Sequence, residues 1–152
     1  MNARRPLACV AAVGALLGLS ACEKPAPIVT VVSGNQSVYA EASTWCFEGQ
    51  SGDECAERET EVTSIPVRAG ETVGVDVDKE LAEGGWYLEL SAPGGGEGDQ
   101  QQPQRSEPQE GHYFSFTAPS LAAGSTLDLQ VRAVGEGEEP RGEFRFELVP
   151  AE

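Results

Sequence analysis

From residue 28 to residue 149 the apolar side chains of this 152-residue chain recur at every second position, in short runs separated by turn residues. Alternation with a period of two is the signature of a strand with one buried face and one wet face. "ETVGVDVD" (71–78) sets Val73, Val75 and Val77 against Thr72, Asp76 and Asp78, and "GWYLELS" (85–91) does the same with Trp86, Leu88 and Leu90. "STLDLQVRAV" (125–134) and "GEFRFELV" (142–149) repeat it with Leu127, Leu129 and Val131, then Phe144, Phe146 and Leu148. "IVTVV" (28–32), "QSVYAEA" (36–42), "EVTSIPV" (61–67) and "HYFSFTA" (112–118) complete a set of eight strand-like stretches. Pro66 lacks an N–H for a ladder, so its strand belongs at an edge. Gly34-Asn35 and Ala69-Gly70 are turn dipeptides, and "DKELAEGG" (78–85) has room for one helical turn. Eight short strands with hardly a helical period predict an all-β fold, an antiparallel immunoglobulin-like β-sandwich.

The first residues follow other rules. Arg4 and Arg5 precede an unbroken run of Leu, Val, Ala, Cys and Gly from Leu7 to Leu19, the charged start and apolar stretch of an export signal. A helix of that length rises only about 20 Å, short of the roughly 30 Å hydrocarbon core of a bilayer. The run closes on Leu19-Ser20-Ala21-Cys22, the lipobox of bacterial lipoproteins, in which the cysteine is lipidated and becomes the first residue after cleavage. An ordinary signal peptide with a small-x-small cleavage site is the competing reading. Arg4-Arg5 is a thin match to a twin-arginine signal, so the general secretory route is expected. The resulting plan is a signal peptide over 1–21, a lipidated tether over 22–27 ending in Lys24-Pro25-Ala26-Pro27, and a β-sandwich over 28–150. Two or more acyl chains on Cys22 would hold the protein stably at the extracytoplasmic face of the cell membrane.

With Cys9 in the signal and Cys22 lipidated, Cys46 and Cys55 remain. An oxidising compartment makes a disulfide their expected state. A redox or metal pair is the alternative, but eight intervening residues do not match CxxC spacing. Both cysteines precede Trp86, so the bridge is expected to staple a loop rather than pin two sheets as in antibody domains.

Removing residues 1–21 takes away two arginines and no acid, leaving 8 basic against 25 acidic side chains and a formal charge near −17. Such a surface repels nucleic acid and anionic lipid alike. Residues 92–111, "APGGGEGDQQQPQRSEPQEG", offer nothing to bury beyond Ala92 and are expected to be a disordered insert.

Catalytic patterns are missing from the sequence. It has no Gly-x-Ser-x-Gly elbow and no Ser-x-x-Lys, and the one histidine, His112, opens a strand. A blue-copper site needs two histidines and a free cysteine. Gly94-Gly95-Gly96-Glu97-Gly98 lacks the Gly-Lys-Ser/Thr of a phosphate loop. No cofactor is expected. Asp76 and Asp78 face one side of a strand and, with Glu80 or Glu83, are candidate cation ligands, although their spacing fits no EF-hand. A surface patch of Tyr87 with Tyr113 or Trp45 is a candidate docking spot.

"ACEKPAPIVTVVSG…SVYAEASTWCFEG" and "IPVRAGETVGVDVDKELAEGGWYLEL" together resemble a family of small actinobacterial lipoproteins of unknown function. The shared features are the lipobox, the Lys-Pro-x-Pro tether, an early strand ending in Glu-Ala, a small cysteine loop and a Gly-Glu-Thr-Val strand leading to Gly-Trp. The likeness covers most of residues 21–91 and implies an exported, anchored β-domain without catalytic residues. The expected function is that of a non-enzymatic binding or accessory module with an envelope protein partner. An envelope protein that binds a cation or small ligand is the alternative.

Overall fold

The computed structural model describes residues 25–50, 54–92, 103–135 and 140–151. They form the expected all-β sandwich of two packed sheets. The four-stranded sheet runs β2 (Gln36–Glu41), β1 (Ile28–Ser33), β6 (Thr72–Val77), β9 (Tyr113–Thr117), all antiparallel. The other sheet follows the order β4 (Ala56–Glu57), β3 (Thr44–Trp45), β11 (Pro140–Pro150), β10 (Leu127–Val134), β7 (Trp86–Ser91), β8 (Gln104–Arg105). Its seventh strand, β5 (Thr63–Val67), pairs with the C-terminal half of β11 in parallel, the one departure from the antiparallel expectation. Pro66 sits on that edge strand, where the missing N–H leaves no ladder partner unpaired. Between β6 and β7, Lys79–Gly84 forms the short helix α1, the one α-helix among the described residues.

Register brings the alternating residues together. Val29, Val31, Val73, Val75 and Val77 of one sheet face Leu129, Val131, Phe144, Phe146 and Leu148 of the other, and all ten are buried. The Trp45 ring lies across β11 at Gly142, where a Cβ would stand 2.3 Å from the indole. Its edge meets Phe144, with centroids 6.3 Å apart. Trp86 closes the same end and donates its indole N–H to the Gly111 carbonyl at 2.9 Å. Cys46 and Cys55 are bonded, and the bridge joins the β3–β4 hairpin to itself within one sheet, a loop staple as expected.

The expectation of disorder over 92–111 is corrected in its second half; residues 93–102 lie outside the described residues. Gln104 and Arg105 pair with Leu90 and Glu89. The Ser106 amide donates to the Leu88 carbonyl at 2.9 Å, the Ser106 hydroxyl receives the Leu88 N–H, and Gln109 and Trp86 exchange backbone bonds. The segment has almost nothing apolar to bury, yet it finds backbone partners on the open edge of β7. Those bonds and the contact of Arg105 with Tyr87 order it.

Candidate functional site

The strand directions give the sandwich two distinct ends. Pro25–Pro27, the disulfide loop, α1 and the start of β11 meet at the first, around an open groove of about 1290 Å³. The Gly34-Asn35 turn, Arg68, Glu71 and Pro150 meet at the second. The chain therefore enters the domain at one end of its strands. It does not hang free there: Pro27 is buried and Ala26 packs against the core. The tether expected over 22–27 is thus partly docked. Cys22 itself, the signal segment expected over 1–21 and Gly94–Gly98 lie outside the described residues.

The entry end carries Glu48, Asp78, Glu80 and Glu83 against Lys79 and Arg141. Arg141 organises it. Its Nε donates to the Cys46 carbonyl at 3.1 Å, its Nη2 reaches Glu80 Oε1 at 2.6 Å, and its guanidinium lies 4.8 Å from the Trp45 ring centroid. One side chain thereby links the disulfide loop, α1 and β11. Sequence reasoning passed over Arg141, and Arg105 as well, whose guanidinium is 3.5 Å from the Tyr87 ring centroid. The available signal was that each is the lone basic residue of a loose-looking acidic or polar stretch.

The candidate cation ligands do not assemble. Asp76 and Asp78 flank the end of β6, but Asp78 Oδ2 accepts the Ile28 amide at 2.9 Å. Among the described residues no three His, Cys, Asp or Glu side chains gather as a metal would require. His112 is exposed and donates through Nδ1 to the Val77 carbonyl at 3.0 Å, a contact that fastens the start of β9. No helix of the described residues is long and apolar enough to cross a membrane.

The aromatic docking patch is corrected. Trp45 and Tyr87 are buried, because Trp45 turns into the core and Arg105 covers the Tyr87 ring. Tyr113 alone of the three is surface-exposed, at 60%, and register places it on the outer face of the four-stranded sheet with Tyr39, which is 64% exposed.

That outer face differs sharply from its counterpart. On the seven-stranded sheet Arg132 bridges Glu89 at 2.7 Å and Glu143 at 3.2 Å, Arg145 also meets Glu143, and Ser64 donates to Glu147. On the four-stranded sheet Thr30, Val32, Ser37, Tyr39, Gly74 and Ser115 share the outer face, and only Glu41 and Asp76 on its β-strands bring charge to it. In a chain this acidic, a sheet face with so little charge stands out. Comparison with family models, with curated proteins and with solved structures finds no match for this chain.

Proposed function

We propose that this chain is an exported lipoprotein, anchored through Cys22 at the extracytoplasmic face of the cell membrane, whose β-sandwich acts as a non-enzymatic binding or accessory module for an envelope protein. The observation that carries the reading is the docking of Ala26 and Pro27 directly after the lipobox. Ala26 lies four positions after Cys22, so the chain between lipid and domain reaches no more than roughly 14 Å. A short reach with an acidic entry end keeps the body near an anionic bilayer without lying on it. The Cys46–Cys55 bridge suits an oxidising compartment.

The test is the mass of the N-terminal peptide from the membrane fraction, with Cys22→Ala alongside. A cysteine carrying diacylglycerol mass, and release of Cys22→Ala into the soluble fraction, are expected. A free Cys22 thiol in the mature native protein overturns the anchor. In-cell crosslinking of the same pair then tests the module: a specific partner lost in Cys22→Ala supports it, and equal recovery of abundant bystanders refutes it.

A further inference from the structure

Both sheets end in edge strands, and a bare edge is a template for pairing with another chain. Four of the five edges among the described residues carry a guard. β4 and β8 are two residues long and bear Glu57 and Arg105. β5 carries Pro66. β2 has its Tyr39 carbonyl met by the Thr63 hydroxyl at 3.4 Å, and Glu41 beside Arg58.

β9 has none of these. Its five residues, Tyr-Phe-Ser-Phe-Thr, include no charge and no proline. Residues 117–126 that follow are uncharged as well. Ladder bonds to β6 fall at the flanks of alternate pairs, where Val77 donates to the His112 carbonyl and Ala118 to the Glu71 carbonyl. In that phase the backbone groups of Tyr113, Ser115 and Thr117 point away from β6. Among the described residues none of them meets a partner. Phe114 and Phe116 sit opposite Val75 and Val73 on the core side, yet both remain half exposed at this edge. Backbone groups ready to pair, with apolar side chains alternating beside them, are the two halves of a strand-addition site.

We infer that the β9 edge takes an extended segment of a partner protein by β-augmentation, and that the segment alternates apolar residues with Lys or Arg. Charge selects this occupant over a second copy. Two bodies of net charge near −17 repel one another, whereas a basic strand is drawn to either. The apolar positions of the incoming strand cover Phe114 and Phe116, and its basic positions lie on the side of Asp76. This inference names the surface and the partner chemistry of the binding module proposed above and rests on that reading.

The experiment uses the full chain purified in detergent and three synthetic decapeptides: alternating valine and lysine, alternating valine and glutamate, and the valine–lysine peptide N-methylated along one edge. Amide hydrogen exchange is read at Tyr113, Ser115 and Thr117. The valine–lysine peptide is expected to protect these three amides. N-methylation is expected to weaken it about tenfold or more, as loss of one or two net hydrogen bonds implies. The valine–glutamate peptide is expected to bind more weakly at low salt, the gap closing as salt rises. Ser115→Pro, which removes an outward N–H at a position where an edge tolerates proline, is expected to abolish protection at its neighbours. Equal binding of the lysine and glutamate peptides, or no protection with any, overturns the inference. Protection of the same amides by self-association without peptide overturns it in favour of a second copy. A crosslinked partner that depends on Cys22 but maps elsewhere overturns the edge alone and leaves the anchored module standing.

Discussion

Two glycines show how the same close approach has opposite consequences. At Gly142 a Cβ would run into the buried Trp45 ring, which is held by Phe144 on one side and Arg141 on the other. Gly142→Ala is expected to cost about 1–3 kcal/mol by overpacking, read from the urea midpoint. At Gly74 a Cβ would meet the Tyr113 ring at similar range, but that ring lies on the exposed face and swings aside. Gly74→Ala is therefore expected to be neutral or slightly stabilising, since glycine within a strand is entropically costly. The setting of Asp128 opposes its charge. Burial first, and Glu147 second, push its pKa above the usual aspartate value, with Arg145 acting the other way. A raised folded-state pKa means the folded chain binds the proton more tightly, so this residue's contribution to stability falls as pH rises through that window. Asp128→Asn is expected to raise the melting temperature at pH 7, and the gain should vanish below the ordinary aspartate range, where both states are protonated.

The elements legible in the sequence were those whose burial follows from their own alternation. All eight alternating stretches and the helical turn at 79–84 are present, with Trp86 and Leu88 inward and the Pro66 strand at an edge. What stayed hidden depends on residues far apart along the chain. β3, β4 and β8 are two residues each; β3 and β8 exist because β11 and β7 offer them an edge, and β4 because β3 then offers one. Tyr87 follows the outward phase of its strand, yet Arg105 covers it from a segment that composition alone marks as loose. Of the candidate site, the cysteine pairing was readable from their number and from the oxidising compartment that the sequence leads one to expect. The bare β9 edge was not, because an edge is defined by which neighbour is missing. The β3–β4 hairpin gives an element-scale prediction. Closing a loop with a sequence separation of 9 restricts the unfolded chain, and the chain-entropy model assigns this about 2.5–3 kcal/mol. Cys46→Ser with Cys55→Ser is expected to lose about that much in urea unfolding. Hydrogen exchange should rise first at Thr44, Trp45 and Ala56.

For the molecule as a whole, net charge competes with the ion pairs it contains. The pairs of Arg132 and Arg141 are half-buried and few, while Arg58–Glu41 and Lys79–Glu83 are exposed, of a kind that contributes little. A chain with 25 acidic and 10 basic side chains is dominated by self-repulsion. Added NaCl, which shortens the Debye length from about 30 Å at 0.01 M to about 8 Å at 0.15 M, is therefore expected to raise the melting temperature. A fall would show that the ion pairs dominate instead. One feature of the topology also bears on timing. β11 is last in chain order among the strands, yet it is the common neighbour of β3, β5 and β10. Until residues 140–150 emerge from the ribosome, the larger sheet has no spine, and the aromatic residues at 144 and 146 are missing from the core. A chain built this way cannot complete its larger sheet until the last of its described strands arrives, so its strand order itself delays folding.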